Sequence, residues 1–213
     1  MAQTLIISGH PDLQQSYAHR MILQVLESSA LDLCVKRLDQ LYPDYQIDVE
    51  AEQSALLAAD RVVLHFPSSW FAMPALLKKW LDDVFVEGFA YGDQGGKMQG
   101  KALLLSITMA QRDCPKGPLA RKGAFLKPLL YPLQQVAKRS GMVFPPPVLS
   151  DGMLSSSDTC STQHKLEQHA NQHGQKLLGL IKEQGRATVQ ATAQDASTRV
   201  MPGVSCRTMW TLF

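Results

Sequence analysis

The order of apolar segments in this chain predicts an α/β fold, with a parallel sheet covered by helices on both faces. Short β-rich apolar runs alternate with longer segments whose apolar residues recur at helical spacing. The first run, residues 4–8, is apolar without alternation, which is typical of a strand buried on both faces. At 213 residues the chain is long enough for one domain with a substantial core.

The predicted elements follow one another regularly along the chain. A first helix is expected over about 15–29, with Ser16 near its start because serine is favoured at helix N-caps. Pro74 suits the first turn of another helix, since its missing N–H would be unpaired there anyway. Further strands are predicted at 31–38, 61–66, 102–107 and 141–144, and further helices at 52–59, 74–85, 123–138 and 162–184.

The C-terminal residues 186–213 differ in composition from the rest. They are rich in Ala, Thr, Ser and Gln and lack convincing periodicity. We therefore expect Gly185 to end the last helix, residues 1–185 to form the folded domain, and residues 186–213 to be a tail rather than a second domain.

Composition excludes several classes of function. The formal charge of +2, without a basic stripe or an RNA-reading motif, gives no support for nucleic-acid binding. Neither a signal peptide nor an apolar stretch of roughly 20 residues is evident, so a cytoplasmic location is expected. The four cysteines lack a C-x-x-C motif and are expected to be reduced thiols: Cys34, Cys114, Cys160 and Cys206.

Three segments should meet at one edge of the predicted sheet, because ligands bind beyond the carboxyl ends of parallel strands. They are residues 10–19, 67–71 and 108–112. In the first, the N–H groups of an opening helix, with His10 and Ser16 as further donors, suit a single phosphate monoester. The same pattern also fits an ordinary strand–helix turn with a capping serine. A G-x-G-x-x-G dinucleotide fingerprint is absent.

The second segment places Trp70 and Phe71 in a loop directly after a strand. Aromatic side chains there can form a wall for a planar ring, or can simply cover the sheet edge. Elsewhere, His164, His169 and His173 lie close together on the last predicted helix. Because they lack a carboxylate in a metalloprotease pattern, we interpret them as a solvated helix face and expect no metal site.

Several spaced motifs give the chain a resemblance to a known family. They are Gly9-His10-Pro11 with Ser16 and Ala18, Leu41-Tyr42-Pro43-Asp44, Pro67-x-x-Trp70-Phe71-x-x-Pro74-Ala75-Leu76-Leu77-Lys78-x-Trp80, Gly88-Phe89-Ala90-Tyr91-Gly92 and Gly100-Lys101. Over residues 3–184 the chain resembles the NAD(P)H:quinone oxidoreductases of flavodoxin-like fold. Within that family it is most similar to the ancillary subunits of glutathione-gated potassium efflux antiporters.

The resemblance implies a fold, a cofactor and partners. The fold would be a flavodoxin-like five-stranded parallel sheet of order 2-1-3-4-5. The cofactor would be FMN rather than FAD, with NAD(P)H as co-substrate and a quinone or related electrophile as acceptor, in ping-pong kinetics. A homodimer is implied, with the flavin site partly built by the second subunit. Association with a potassium antiporter would place the protein at the inner face of the cell membrane.

The resemblance also implies site residues in three loops. The strand-1 loop would hold the FMN phosphate, and the strand-3 loop would lie against the isoalloxazine and ribityl chain. The strand-4 loop would give backbone N–H groups to the ring; it reads Thr-Met-Ala-Gln where the family usually has Thr-Thr-Gly-Gly, so its backbone approaches a ligand less freely. These residues are His10, Ser16, Tyr17, Ala18 and His19; Pro67, Ser68, Ser69, Trp70 and Phe71; and Thr108, Met109, Ala110 and Gln111.

The flavin would carry the chemistry, so we expect no protein side chain to act as an essential nucleophile. Replacing all four cysteines by alanine should then leave turnover largely intact. A second hypothesis is a regulatory subunit that binds an antiporter, with redox activity secondary or lost. The altered strand-4 loop favours the regulatory subunit, whereas the strand-1 and strand-3 loops favour the reductase.

Overall fold

Five parallel strands form one sheet in the order β2-β1-β3-β4-β5, which confirms the order implied by the resemblance. The structure is a computed structural model that describes residues 3–92, 96–109, 126–153 and 160–198, and the side chains of the last helix over 163–184. The strands are β1 (Thr4–Ser8), β2 (Leu33–Arg37), β3 (Arg61–Pro67), β4 (Ala102–Thr108) and β5 (Val148–Ser150).

Helices connect the strands and cover both faces of the sheet, as predicted. A short 3-10 turn (Leu13–Gln15) precedes α1, and Pro132 lies inside α5. Among the described helices, none is both long and apolar enough to cross a membrane. The helices are α1 (Tyr17–Glu27), α2 (Leu38–Leu41), α3 (Val49–Ala58), α4 (Ala75–Val84), α5 (Leu126–Arg139) and α6 (Cys160–Thr198).

Alternation along the buried strands divides the core into two layers. Ile6, Val63 and Leu104 face one side, where α1 and α6 cover them. Leu5, Ile7, Leu64 and Leu105 face the other side, where α3, α4 and α5 pack. Gly174 allows α6 to approach α1 closely, because a Cβ atom there would lie 2.7 Å from Cγ1 of Val25.

Two predictions near the C-terminal end of the fold are wrong. Residues 141–144 do not form the fifth strand; Val143 makes one bridge to Ala102, and β5 begins at Val148. The intervening run of three prolines lacks N–H donors, which interrupts the ladder. The last helix does not end at Gly185 but continues to Thr198, because a glycine inside a helix costs only about 1 kcal/mol and the residues after it are rich in alanine.

Two polar side chains, of which Glu52 is buried and Lys101 half-buried, fix the helices on the α3–α4 side. Glu52 has no exposed surface, and its carboxylate accepts hydrogen bonds from Tyr42 Oη (2.6 Å), Trp80 Nε1 (2.9 Å) and Lys36 Nζ (2.7 Å). Lys101 directs its ammonium at the end of α3, where it donates to the carbonyl oxygens of Leu56, Leu57 and Ala59. The lysine thereby pairs carbonyls that the helix leaves without a partner.

Candidate cofactor site

Three loops meet at the carboxyl edge of the sheet, as the parallel topology requires. Gly9 N–H, just after β1, donates to the His65 carbonyl at 2.9 Å, and Ser68 N–H, just after β3, donates to the Thr108 carbonyl at 2.8 Å. The Thr108 hydroxyl in turn lies 2.6 Å from Nε2 of His19 in α1. These contacts fix the loops after β1, β3 and β4 relative to one another.

The first loop leads into α1, whose first turn can bind an anion. Ser16 is the N-cap, as predicted, and its hydroxyl accepts a hydrogen bond from His19 N–H at 3.3 Å. The N–H groups of Tyr17 and Ala18 have no partner within the helix, and they lie at the positive end of the helix dipole. His10, half-buried, lies beside this turn, with its ring centroid 4.7 Å from that of His19.

The second loop presents two aromatic side chains on a strained turn. Ser69 and Ala72 exchange two backbone hydrogen bonds (2.9 and 3.0 Å), and the residues between them, Trp70 and Phe71, have φ of +48° and +62°. Positive φ at bulky residues costs on the order of 1–3 kcal/mol each and is concentrated at functional sites. Trp70 is 95% exposed and Phe71 is 58% exposed, so both rings are available to a planar ligand.

The third loop is described only at its start. Thr108 is buried; its carbonyl and hydroxyl are both engaged, with Ser68 and His19 respectively. The Met109 N–H donates to the Ser150 carbonyl at 2.8 Å, so that amide is also engaged. Ala110 and Gln111 lie outside the described residues.

A buried polar layer lies beneath this edge, on the side covered by α1 and α6. Nδ1 of His65 lies 2.8 Å from Ser106 Oγ, which lies 2.7 Å from Nε2 of His173; Nδ1 of His173 lies 2.8 Å from Ser150 Oγ. His65, Ser106 and His173 have no exposed surface. Sequence reasoning named His173 only as part of a solvated helix face and did not select His65, Ser106 or Ser150, although a histidine within the apolar run 62–66 was a signal that it could have used.

Burial keeps the imidazoles of this layer neutral. Desolvation lowers the pKa of His19 to about 3 and that of His173 to about 4, and the neighbouring charges of His10 and Lys176 act in the same direction on His19 and His173 respectively. The pKa of His65 lies well below its usual value for the same reason, burial. His10 is less buried; desolvation lowers its pKa, while Asp39 and Asp12 oppose that change.

The interpretation of the α6 histidines as a solvated face is wrong for His173. Its side chain is buried because α6 packs closely on α1 at this turn, next to Gly174. His164 is exposed, in agreement with the prediction. Within the described ranges, no group of three or more His, Cys, Asp or Glu side chains is arranged to hold a metal ion.

Sequence comparison places the chain among proteins of flavodoxin-like fold, whose family model matches residues 2–177. It is 37% identical over 155 residues to the NAD(P)H oxidoreductase YrkL of Bacillus subtilis (strain 168), covering 73% of this chain and 88% of that one. It is 34% identical over 175 residues to the glutathione-regulated potassium-efflux system ancillary protein KefF of Enterobacter sp. (strain 638), covering 82% and 94%.

Solved structures give the same placement. General stress protein 14 of Treponema denticola, in complex with FMN, superposes with a TM-score of 0.72 at 25% identity, covering 86% of this chain and 99% of that chain. An NADPH-quinone reductase from P. pentosaceus superposes with a TM-score of 0.63 at 25% identity, covering 82% and 98%.

Proposed function

Because the chain belongs to the flavodoxin-like family, which includes NAD(P)H oxidoreductases and quinone reductases, we propose that it is an FMN-dependent NAD(P)H oxidoreductase. Its acceptors are quinones or related electrophiles, reduced in ping-pong kinetics. The reaction converts NAD(P)H, a proton and a quinone to NAD(P)⁺ and a hydroquinone. The observation that carries this proposal is the pairing of an anion-binding helix terminus with a strained, exposed aromatic turn at one edge of the sheet.

The residues at this edge fit a flavin mononucleotide. Buried polar atoms without a protein partner lie there: Nδ1 of His19, in the first turn of α1, and Oγ of Ser8, at the end of β1. They suit a ligand with several oxygen atoms, since buried polar groups are otherwise hydrogen-bonded. The exposed rings of Trp70 and Phe71 suit a flat heterocycle beside that group.

Each loop then has a distinct task. His10, Ser16, Tyr17, Ala18 and His19 hold the phosphate, because the N–H groups of the first turn and the imidazole of His10 offer donors to an anion. Pro67, Ser68, Ser69, Trp70 and Phe71 line the ring and its side chain. Thr108 to Gln111 border the polar edge of the ring. Bound there, FMN supplies the hydride chemistry, and the protein supplies position and electrostatics.

No cysteine is needed in this proposal. Cys34 is half-buried on β2 and packs against the core, away from the three loops. The variant with all four cysteines replaced by alanine should therefore retain turnover. Complete loss of activity in a folded variant would contradict the assignment of the chemistry to the cofactor.

The test is flavin retention followed by reduction. After incubation with FMN and desalting, we expect a yellow protein that bleaches on anaerobic addition of NADPH and regains colour with a quinone. Trp70→Ala should weaken FMN binding, whereas Leu57→Ala should not; Leu57 is an exposed apolar residue whose carbonyl contacts Lys101, at the opposite edge of the sheet. A protein that is colourless after incubation with saturating FMN and desalting would overturn the proposal.

The alternative function is that of an ancillary subunit of a potassium efflux antiporter. It is favoured by the similarity to KefF, which spans 94% of that protein, and by the engaged amides of Ser68 and Met109 beside the altered strand-4 loop. Co-purification with a membrane antiporter, from a protein that does not retain flavin, would support this alternative and place the protein at the inner face of the membrane.

We also propose that residues 1–185 form the cofactor-binding domain and that two copies assemble as a homodimer. A chain truncated after residue 185 should then retain FMN, although α6 continues past that point. Light scattering on the holoprotein should give twice the chain mass of 23.5 kDa.

A further inference from the structure

Three imidazole rings lie in a row at the first turn of α1. The ring centroids of His10 and His19 are 4.7 Å apart, and those of His19 and His65 are 4.4 Å apart. Nδ1 of His19 and Nε2 of His65 are buried and have no hydrogen-bond partner. Buried polar atoms without a partner are unusual in proteins and often indicate a ligand.

His19 is the residue of this row that is best placed to meet an anion. It is the third residue of α1, and its exposed fraction is 2%. Its Nε2 is engaged with Thr108. Its Nδ1 has no partner, and the residue itself belongs to the first turn, where the N–H groups of Tyr17 and Ala18 are also free of helical partners.

The charged and titratable groups around His19 do not offset the positive charge that its ring would carry when protonated. Its neighbours are His10 from the strand-1 loop, His65 from β3, His173 from α6 and the neutral Thr108 from β4. Arg20 follows it on α1, and Lys176 acts on His173. The nearby carboxylates, Asp12 and Asp39, act on His10 instead.

A dianion at the helix terminus changes this balance, because an opposite charge within a few ångströms favours the protonated form of an imidazole. A neutral histidine has one N–H group, whereas a protonated one has two. If Nε2–H donates to the Thr108 hydroxyl, then Nδ1 carries a lone pair that opposes an anion. A proton taken from solvent turns that atom into a charged donor.

We propose that binding of a phosphate-type dianion at the first turn of α1 is coupled to uptake of one proton by His19. The site therefore binds its anion more tightly as the pH falls. This inference rests on the proposed function only in identifying the anion as the phosphate of FMN; the coupling itself applies to any dianion of that size.

The first test uses sulfate, which remains a dianion at all pH values above about 3. Titration calorimetry at one pH in two buffers of different ionisation enthalpy counts the protons taken up, and we expect close to one per sulfate at pH 5.5. The dissociation constant of sulfate should fall about tenfold per pH unit between pH 6.5 and 5.5. A pH-independent constant, the absence of proton uptake, or no sulfate binding would each overturn the proposal.

The second test compares three variants. His19→Asn keeps a polar side chain that cannot titrate and should abolish both the proton uptake and the pH dependence of sulfate binding. His10→Asn should weaken sulfate binding but keep its pH dependence, and His164→Asn, at an exposed position of α6, should change neither. The assignment to His19 would be contradicted if His10→Asn lost the pH dependence of sulfate binding and His19→Asn kept it. If a variant does not fold, calorimetry on the unmodified protein still tests whether sulfate binding takes up a proton.

Flavin binding separates this inference from the proposed function. Between pH 7.5 and 6.5, where the phosphate of free FMN is mostly a dianion, FMN affinity should rise as the pH falls. Riboflavin affinity should not, because riboflavin has no phosphate. Proton-coupled sulfate binding without flavin binding would support the coupling and contradict the oxidoreductase proposal. Flavin binding with a pH-independent sulfate affinity would support the oxidoreductase proposal and contradict the coupling.

Discussion

The buried imidazole of His173 should make the protein markedly less stable in mild acid. Desolvation lowers its pKa to about 4 in the folded protein, whereas an unfolded chain returns it to about 6.5. The unfolded state therefore binds more protons between these two values. The stability associated with the neutral ring is fully present above pH 6.5 and is lost as the pH falls towards 4.

The magnitude follows from these two values. At pH 5 the imidazole is almost fully protonated in the unfolded chain but only about one-tenth protonated in the folded one, so linkage predicts a loss of about 2 kcal/mol between pH 7.5 and pH 5. That is a large fraction of the 5–15 kcal/mol by which typical domains are stable. His19 and His65, whose pKa values are also lowered by burial, should increase the loss.

Urea unfolding at pH 7.5 and at pH 5, followed by far-UV circular dichroism, measures this loss directly. His173→Gln keeps an amide that can hydrogen-bond Ser106 or Ser150 but cannot titrate, so its free energy of unfolding should fall by about 2 kcal/mol less than that of the unmodified protein. His164→Gln, at an exposed position of the same helix, should behave like the unmodified protein. Equal losses in His173→Gln and the unmodified protein would refute the reasoning.

Four further substitutions test the fold and the aromatic turn. Lys101→Met removes the donor to three carbonyls at the end of α3 and should cost about 1–3 kcal/mol of unfolding free energy in urea denaturation. Glu52→Gln cannot satisfy the same three donors and should cost about 3–5 kcal/mol in that assay. Gly9→Ala places a Cβ 2.8 Å from Leu77 and should cost about 1–3 kcal/mol, seen as a lower Tm. Trp70→Gly relieves positive φ and should raise Tm slightly while weakening FMN binding in a fluorescence titration; a lower Tm would contradict the assignment of strain.

The sheet could be predicted because its evidence is local. The three central strands, β1, β3 and β4, are mainly apolar runs of five to seven residues that are buried on both faces, and α1, α4 and α5 are apolar on one side. The cap of α1 at Ser16 was likewise visible, since a serine before a helical pattern is the usual N-cap. The start of α3 was placed three residues late, although Asp48, its N-cap, carries the same kind of signal.

The errors occurred where local preference and tertiary contacts disagree. Gly185 disfavours a helix by a small amount, and α6 continues through it. Val143 has the β-branched side chain of a strand residue, but prolines follow it, and pairing resumes only at Val148. In both cases the prediction relied on one residue or one short run, whose preference for a secondary structure is too small in free energy to decide the outcome.

The polar layer could not have been predicted, because its members are far apart in the chain. His65 and His173 are separated by more than a hundred residues. The apolar run around His65 indicates a buried polar group, but the local sequence of neither histidine identifies its partner. Only the pairing of His65 with Ser106 across β3 and β4, and the packing of α6 over both strands, bring the two imidazoles to one hydroxyl. The resemblance did not help, since the motifs that carry it do not include either histidine.

The position of that layer explains why titratable side chains are tolerated there although they lower the stability of the protein in acid. Apolar residues at these positions would avoid the acid-linked loss described above, since they cannot titrate. Instead, the layer supports the first turn of α1: the ring of His65 packs on that of His19, with ring centroids 4.4 Å apart, and Nε2 of His19 lies 2.6 Å from the Thr108 hydroxyl. If the coupling proposed for His19 holds, dianion binding should also protect the protein from acid. Sulfate should then raise the free energy of unfolding more at pH 5 than at pH 7.5, and His19→Asn should remove that difference.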